Sequence, residues 1–212
     1  MVAGILSICG AFSGRVDRMY ENISVRDVLV KNYLRKIDMD PDGCYPILQR
    51  YPICFPEYWN EKISEEFIHQ GLQDNQPWMY KDSRTALLWQ LWTMSFPDSK
   101  WVVVRRKPED IINSCKMTGY MRTFQDSSKL VQVGAQTIEE AWQWVVNEYV
   151  FRFTKISRLS KVCFEVWPEK MAVGDFTEIE MVVRKLGLEW KEKEVREFIQ
   201  PKLYKHNKQE EI

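Results

Sequence analysis

"KWVVVRRKPEDIINS", residues 100–114, is the stretch on which the fold turns. Trp101 to Val104 form an unbroken apolar run, which predicts a strand over 100–106 buried on both faces, as in a parallel sheet. Pro108 closes it. Glu109 and Asp110 then fall in the first turn of a predicted helix, where negative charge is favoured. A strand feeding a helix through a short turn is the unit from which α/β domains are assembled, because parallel strands need helical crossovers.

The same unit recurs outward from there. "KVCFEVW", 161–167, predicts a second buried strand. It leads into "DFTEIEMVVRKLG", 175–187, where Asp175 and Glu178 have the spacing of a capping box and Gly187 that of a C-terminal stop. Near the start, residues 3–9 are continuously apolar and bounded by Gly10, which predicts a third buried strand. Met19, Ile23, Val28, Leu29, Tyr33 and Leu34 give mostly helical spacing over 16–37, followed by the turn-rich "DMDPDGCYP". Further helices are expected over 57–72, over "TALLWQLWTM" at 85–94 and over the Trp-studded 137–158, with a short strand at Trp78–Tyr80. Residues 119–136 lack a stable period and predict a loop or lid. Together these predict one α/β domain over 1–212, three-layered, with a mainly parallel sheet flanked by helices.

Thirty basic residues balance thirty acidic ones, so net charge argues for neither a nucleic-acid nor a membrane-surface partner, and any anion must be met locally. Five cysteines (Cys9, Cys44, Cys54, Cys115, Cys163) are scattered without a C-x-x-C pair. That pattern indicates neither a disulfide framework nor a zinc site, and it suits a reducing compartment. "MVAGILSICGAF" is too short to span a bilayer and has no basic flank, so a soluble, cytoplasmic protein is expected.

Two segments can carry chemistry. In "CGAFSGRV", 9–16, glycine leaves backbone N–H groups accessible after the expected strand, and Gly10, Ser13, Gly14 and Arg15 supply the parts of a phosphate nest. The spacing G-x-x-x-G-R-V departs from the Walker A pattern, lacking its lysine and its magnesium-binding hydroxyl, which disfavours Mg-nucleotide hydrolysis. A tight strand-to-helix turn is the alternative. In "RKPEDIINS", 106–114, Arg106 at a strand end and Ser114 in the following helix can face one phosphate at the carboxyl edge of the sheet. A solvated basic turn is the alternative there.

"RKPEDIINS" also resembles the R-x-P-x-D-[VI]-x-x-S element of sulfotransferases that use 3′-phosphoadenosine 5′-phosphosulfate (PAPS), with Arg106, Pro108, Asp110 and Ser114 in register. "WMYKDSRTALLWQLWTMSFPDSKWVVVRR" is similar to the W-x-x-K-D-P-R, helix and F-P-D-[AS]-[RK] series of the bacterial and Golgi-type branch, with Ser83 in place of proline. "SGR" stands where the 5′-phosphosulfate loop is, "DMDPDGCYP" resembles the N-x-x-G-[YF]-x-E turn, "VCFEVWPEKM" the Y-E-D-L strand end, and "VREFIQPKL" the closing F-[IV]-x-P-x-L. The resemblance spans nearly the whole chain in order.

The resemblance implies a P-loop-like sulfotransferase topology and a metal-free transfer of sulfuryl from PAPS, leaving PAP, to a small-molecule or glycan acceptor. Gly10, Ser13, Gly14, Arg15 and the Val16 amide would surround the 5′ end, and Arg106 and Ser114 would take the 3′-phosphate. Phe164 would lie against adenine or serve as a core ring. Such transfer depends on cations that neutralise the leaving and equatorial oxygens. Lys81 is the first candidate for this and Arg15 the second. A base must take the acceptor's proton; Asp82 is the nearest matched carboxylate, with a structural partnership to Arg84 as its alternative. His69 and His206 are lesser candidates, and Tyr120 and Phe124 are candidate walls of an acceptor pocket. Two departures stand out: Phe12 replaces the family's basic residue before S-G, and Arg15 replaces the following threonine. They keep in view a nucleotide-binding protein without turnover, and, further off, a P-loop kinase.

Overall fold

The computed structural model describes residues 1–43, 56–117 and 122–199. Cys44, Cys54, Tyr120, His206 and the last residues of "VREFIQPKL" lie outside them. The two central expected strands form: β1 (Lys100–Val104) and β2 (Val162–Val166) pair in parallel, from Lys100 opposite Val162 to Val104 opposite Val166. Among the described residues this pair is the whole sheet. Two strands cannot hold together alone, so the pair depends on what covers it.

Helices cover both faces. Val102, Phe164 and Val166 pack with Val2, Ile5 and Leu6 of α1 (Val2–Ile8), with Ile179, Val182 and Val183 of α10 (Thr177–Lys185), and with Val195 of α11 (Glu192–Phe198). On the opposite face Trp101, Val103 and Cys163 meet Trp89 of α5 (Trp89–Ser95) and Phe153 and Ile156 of α8 (Ile138–Leu159). This alternation is the period-2 consequence of the pleat. The crossover from β1 to β2 runs through α6 (Pro108–Met117) and α8, which pack on one another through Ile112, Ala141, Trp142, Val145 and Val146. Thr137 caps α8 by accepting the Glu140 N–H at 3.1 Å, and Glu140 in turn accepts the Gln136 N–H at 2.7 Å.

The first apolar run is a helix rather than the expected strand. Val2, Ile5, Leu6 and Cys9 point inward at helical spacing, and an unbroken apolar run carries no period with which to tell the two apart. Gly4 lets the ring of Phe198 come close; a Cβ there would stand 2.3 Å from Phe198 Cζ. The expected short strand at Trp78–Tyr80 reduces to one parallel bridge, Phe12 to Trp78.

The expected helix over 16–37 starts later. Residues 16–22 form a tight hairpin in which Val16 bridges Asn22 and Tyr20 has φ 60°. A π-helical turn (Val25–Val30) then runs into α2 (Lys31–Lys36). α3 (Trp59–His69) brings Trp59, Ile63 and Phe67 onto Tyr33 and Leu34 of α2, and this cluster continues to Leu91 and Trp92 of α5. The helix expected over 85–94 breaks at Leu88 into α4 (Arg84–Leu87) and α5.

Part of the expected loop at 119–136 is ordered as a 3₁₀ turn (Thr123–Gln125) and α7 (Ser127–Gln132), whose first turn is capped by Asp126. Phe124 is core rather than pocket wall: it is buried edge-on against Trp142 with ring centroids 5.1 Å apart. The Asp175–Glu178 capping box does not close. Asp175 Oδ1 accepts the Thr177 N–H, but Glu178 reaches past it to the Trp167 N–H at 2.7 Å, tying α10 to α9 (Pro168–Ala172). No described helix is long and apolar enough to cross a membrane.

Candidate functional site

The first turn is built from two glycines and two side-chain amides. Gly10, at φ +109°, ends α1, its N–H donating to Ser7 O and that of Ala11 to Leu6 O. Phe12 then runs beside residues 77–79: its N–H donates to Pro77 O and its carbonyl accepts from Met79 N–H, both at 2.8 Å. Gly14 has φ +64°, and a Cβ there would stand 2.1 Å from Gln70 Oε1 and 2.5 Å from Asn22 Nδ2. Only glycine fits.

Asn22, 1% exposed, donates through Nδ2 to Ser13 O and accepts the Val25 N–H through Oδ1, so one residue pins the turn and starts the next helix. Gln70 Oε1 accepts the Arg15 N–H at 2.6 Å, while the Arg15 side chain is exposed. Among the described residues the Ser13 and Gly14 amides donate to no other group. Residues 10–14, with Ser7 and Gln76, line an open cleft of ≈ 340 Å³.

A charged cluster adjoins the turn through the 16–22 hairpin. Lys81 Nζ lies 3.0 Å from Glu21 Oε1, and Glu21 Oε2 lies 3.5 Å from both Arg26 Nη1 and Arg84 Nη1. Asp82 has a fully buried side chain; Oδ1 accepts from the Arg84 N–H at 2.8 Å and from Nη1 at 2.7 Å, and Oδ2 accepts from the Tyr80 hydroxyl at 2.7 Å. Arg84 Nε donates to Pro41 O at 2.9 Å. Burial first, then the Asp82 charge, pushes the Tyr80 phenol well above its usual range. With three hydrogen bonds accepted inside the protein, Asp82 has the geometry of a structural partner of Arg84.

Nearer solvent, Arg26 Nε holds Asp27 at 2.9 Å and Nη1 holds Asp17 at 2.5 Å. The Arg26 hydrogen bond keeps the Asp27 carboxyl below the usual range. At Asp17 burial opposes ionisation, but the amides of Glu21 and Met19, together with Arg26, outweigh it and lower the pKa.

Arg106 stands two residues past β1. Its Nε is buried and has no hydrogen-bond partner among the described residues. Ser114 is half-buried on α6, and Cys115 beside it feels the Arg106 charge, though burial dominates and pushes the thiol up. Phe164 is half-buried on β2 opposite Val102 and packs into the cluster of α1, α10 and α11, a core position. Arg105 turns away, to Glu165 at 2.5 Å and over the Phe153 ring at 5.1 Å.

The structure thus ties the turn at residues 10–16, through the Phe12–Trp78 bridge, to the segment that leads into Lys81 and Asp82. No hydrogen bond or ion pair among the described residues joins Arg106 to either group. His69 is exposed at the end of α3. Cys9, Cys115 and Cys163 are thiols, and among the described residues no three His, Cys, Asp or Glu side chains are grouped to hold a metal.

The sequence reading missed Asn22, Glu21 and Gln70. Asn22 carries a local signal, standing three residues before Val25 as an N-cap does. Gln70 carries none, because its role depends on contact with a turn 55 residues away. No family model, curated protein or solved structure matches this chain.

Proposed function

We propose that this chain is a sulfotransferase of P-loop-like topology that moves a sulfuryl group from PAPS to a hydroxyl or amine of a small-molecule or glycan acceptor. The observation that carries the reading is the buried Nε of Arg106, without a hydrogen-bond partner among the described residues, in the first position of the R-x-P-x-D-I-x-x-S element that runs from the end of β1 into α6. A buried donor left unsatisfied costs roughly 1–3 kcal/mol, more on a charged group, and an anionic ligand removes that cost. The residues fit a 3′-phosphate: Arg106 and Ser114 would hold it. PAPS supplies the sulfuryl group and a phosphate leaving group. In this reading Lys81 donates to the bridging or equatorial oxygens, helped by the Ser13 and Gly14 amides and by Arg15. Asp82 fixes Arg84 and Tyr80 rather than taking a proton.

A second reading is favoured by one observation. Glu21 already neutralises Lys81 at 3.0 Å, which suits a protein that binds PAP without turnover.

The test is thermal stability with PAP, AMP, Mg-ATP or no ligand. At a hundredfold excess over Kd a native-state ligand adds about 2.7 kcal/mol, a midpoint shift of roughly 5–10 °C. A shift with PAP that Arg106→Ala abolishes is the expected result. If PAP shifts the wild type, loss of turnover in Lys81→Ala with the PAP shift kept would identify the enzyme; no turnover in the wild type would favour the second reading. A shift with Mg-ATP alone would overturn both in favour of a kinase.

A further inference from the structure

The turn assigned above to the donor's 5′ end already holds an acceptor of its own. Gln70 Oε1, just past α3, is 2.6 Å from the Arg15 amide nitrogen and 2.9 Å from Asn22 Nδ2. It sits in the crook of Gly14, in space that exists only because glycine has no Cβ. An oxygen that collects N–H donors at a positive-φ turn stands where a phosphate or sulfate oxygen stands in a backbone nest. The side chain is also held from behind, since Nε2 donates to Glu66 Oε1 at 2.9 Å and to Asn22 Oδ1 at 3.3 Å. Glu21 does the same for Lys81 at 3.0 Å. At the 5′ end the Arg15 amide and Lys81 already have internal acceptors, whereas at the 3′ end Arg106 Nε has none among the described residues.

We propose that Gln70 weakens the turn for 5′-phosphates by acting as an internal competitor: a 5′-phosphate or 5′-phosphosulfate must displace its amide oxygen from the Arg15 N–H. This rests on the PAPS-site reading. Apparent affinity falls by the fraction of time the binding-competent state is populated. AMP meets that reduction with nothing to offset it, whereas a nucleotide that also carries a 3′-phosphate offsets it at Arg106. AMP and PAP displace the same oxygen, so the reduction cancels between them. Discrimination of PAP from AMP comes from Arg106, while the turn sets how weak a 5′-phosphate is when no 3′-phosphate accompanies it. Gln70 is half-buried on an exposed helix end, so rotation of one side chain suffices to clear the turn.

Titration calorimetry of the full chain with AMP, adenosine 3′-monophosphate and PAP tests this, using wild type, Gln70→Ala and Gln70→Glu. Gln70→Ala should tighten AMP and PAP alike by about tenfold, the scale of one or two neutral hydrogen bonds. Adenosine 3′-monophosphate should stay within about twofold, since it does not use the turn. Gln70→Glu keeps an acceptor on the turn and adds charge, so it should weaken AMP and PAP even if the alanine variant folds poorly. Unchanged or weaker AMP binding in Gln70→Ala, or tighter AMP binding in Gln70→Glu, overturns the proposal while leaving the Arg106 site standing. Failure of all three nucleotides to bind wild type, with Arg106→Ala without effect, overturns the site reading and this inference together.

Discussion

Replacing Asp82 by alanine should destabilise the protein more than any change at Lys81 beside it. The Asp82 carboxylate accepts from the Arg84 amide, from Arg84 Nη1 and from the Tyr80 hydroxyl, all within 2.7–2.8 Å. Without it Arg84, 5% exposed, would face, among the described residues, only the more distant carboxylates of Glu21 at 3.5 Å and Asp42 at 3.8 Å. Removing one partner of a buried ion pair costs about 3–5 kcal/mol. At about 2.1 cal/mol/K of unfolding entropy per residue, each kcal/mol moves the midpoint of a chain this long by roughly 2 °C, so a loss of about 6–11 °C is expected. Asp82→Asn keeps the shape but sets an amide N–H against existing donors, and should fall between wild type and alanine. Lys81 is 39% exposed, and its pair with Glu21 belongs to the class worth at most about 1 kcal/mol. Urea denaturation of wild type, Asp82→Ala, Asp82→Asn and Lys81→Ala at pH 7 gives all four values with their m-values. If Asp82→Ala lies within about 1 kcal/mol of wild type, the structural role is wrong and Asp82 returns as a candidate proton acceptor.

Gly14→Ala forces a Cβ to 2.1 Å from Gln70 Oε1 at φ +64°. About 1–2 kcal/mol for the left-handed backbone and about 1 kcal/mol for each displaced hydrogen bond give a loss of roughly 3 kcal/mol, measurable in the same urea series; a loss below about 1 kcal/mol would show that the turn opens easily. For acid stability the sign is set by Asp17 and Asp27, whose folded-state pKa values lie below the unfolded ones. As pH falls the unfolded chain takes up protons first, so their stabilisation is complete above about pH 4 and is lost through the depressed values. The Asp17→Asn, Asp27→Asn double variant should show a shallower fall in urea midpoint between pH 6 and 3, and an unchanged slope would refute the assignment.

Local pattern was sufficient where a segment's partners resemble one another. β1, β2, α6, α8 and α10 stand where the runs at 100–106 and 161–167 and the helical spacings put them, because any apolar face would cover them. It failed where one distant residue decides. Residues 2–8 are helical with Phe198 lying over Gly4, a contact across almost the whole chain. The hairpin at 16–22 is a local miss instead: it displaces the expected start of a helix because Asp17 Oδ1 takes the Met19 and Glu21 amides and Asn22 caps the next turn. At the site, the glycines and Lys81 were legible as residue types in order. What occupies them, Gln70 and Glu21, was not, since a glutamine and a glutamate on a surface segment look alike whether or not they reach a neighbouring turn.

The bridge between Phe12 and Trp78 makes one mechanical body of two segments far apart in the chain. Its hydrogen bonds, Phe12 N–H to Pro77 O and Met79 N–H to Phe12 O, lie directly between the glycine turn and the segment that ends at Lys81. A force applied at Gly14 is therefore transmitted to Lys81 through two backbone links rather than through flexible side chains. The amides of Phe12 and Met79 should exchange with solvent at a common rate, as a pair that opens in one event. Any ligand that draws the turn inward carries the lysine with it.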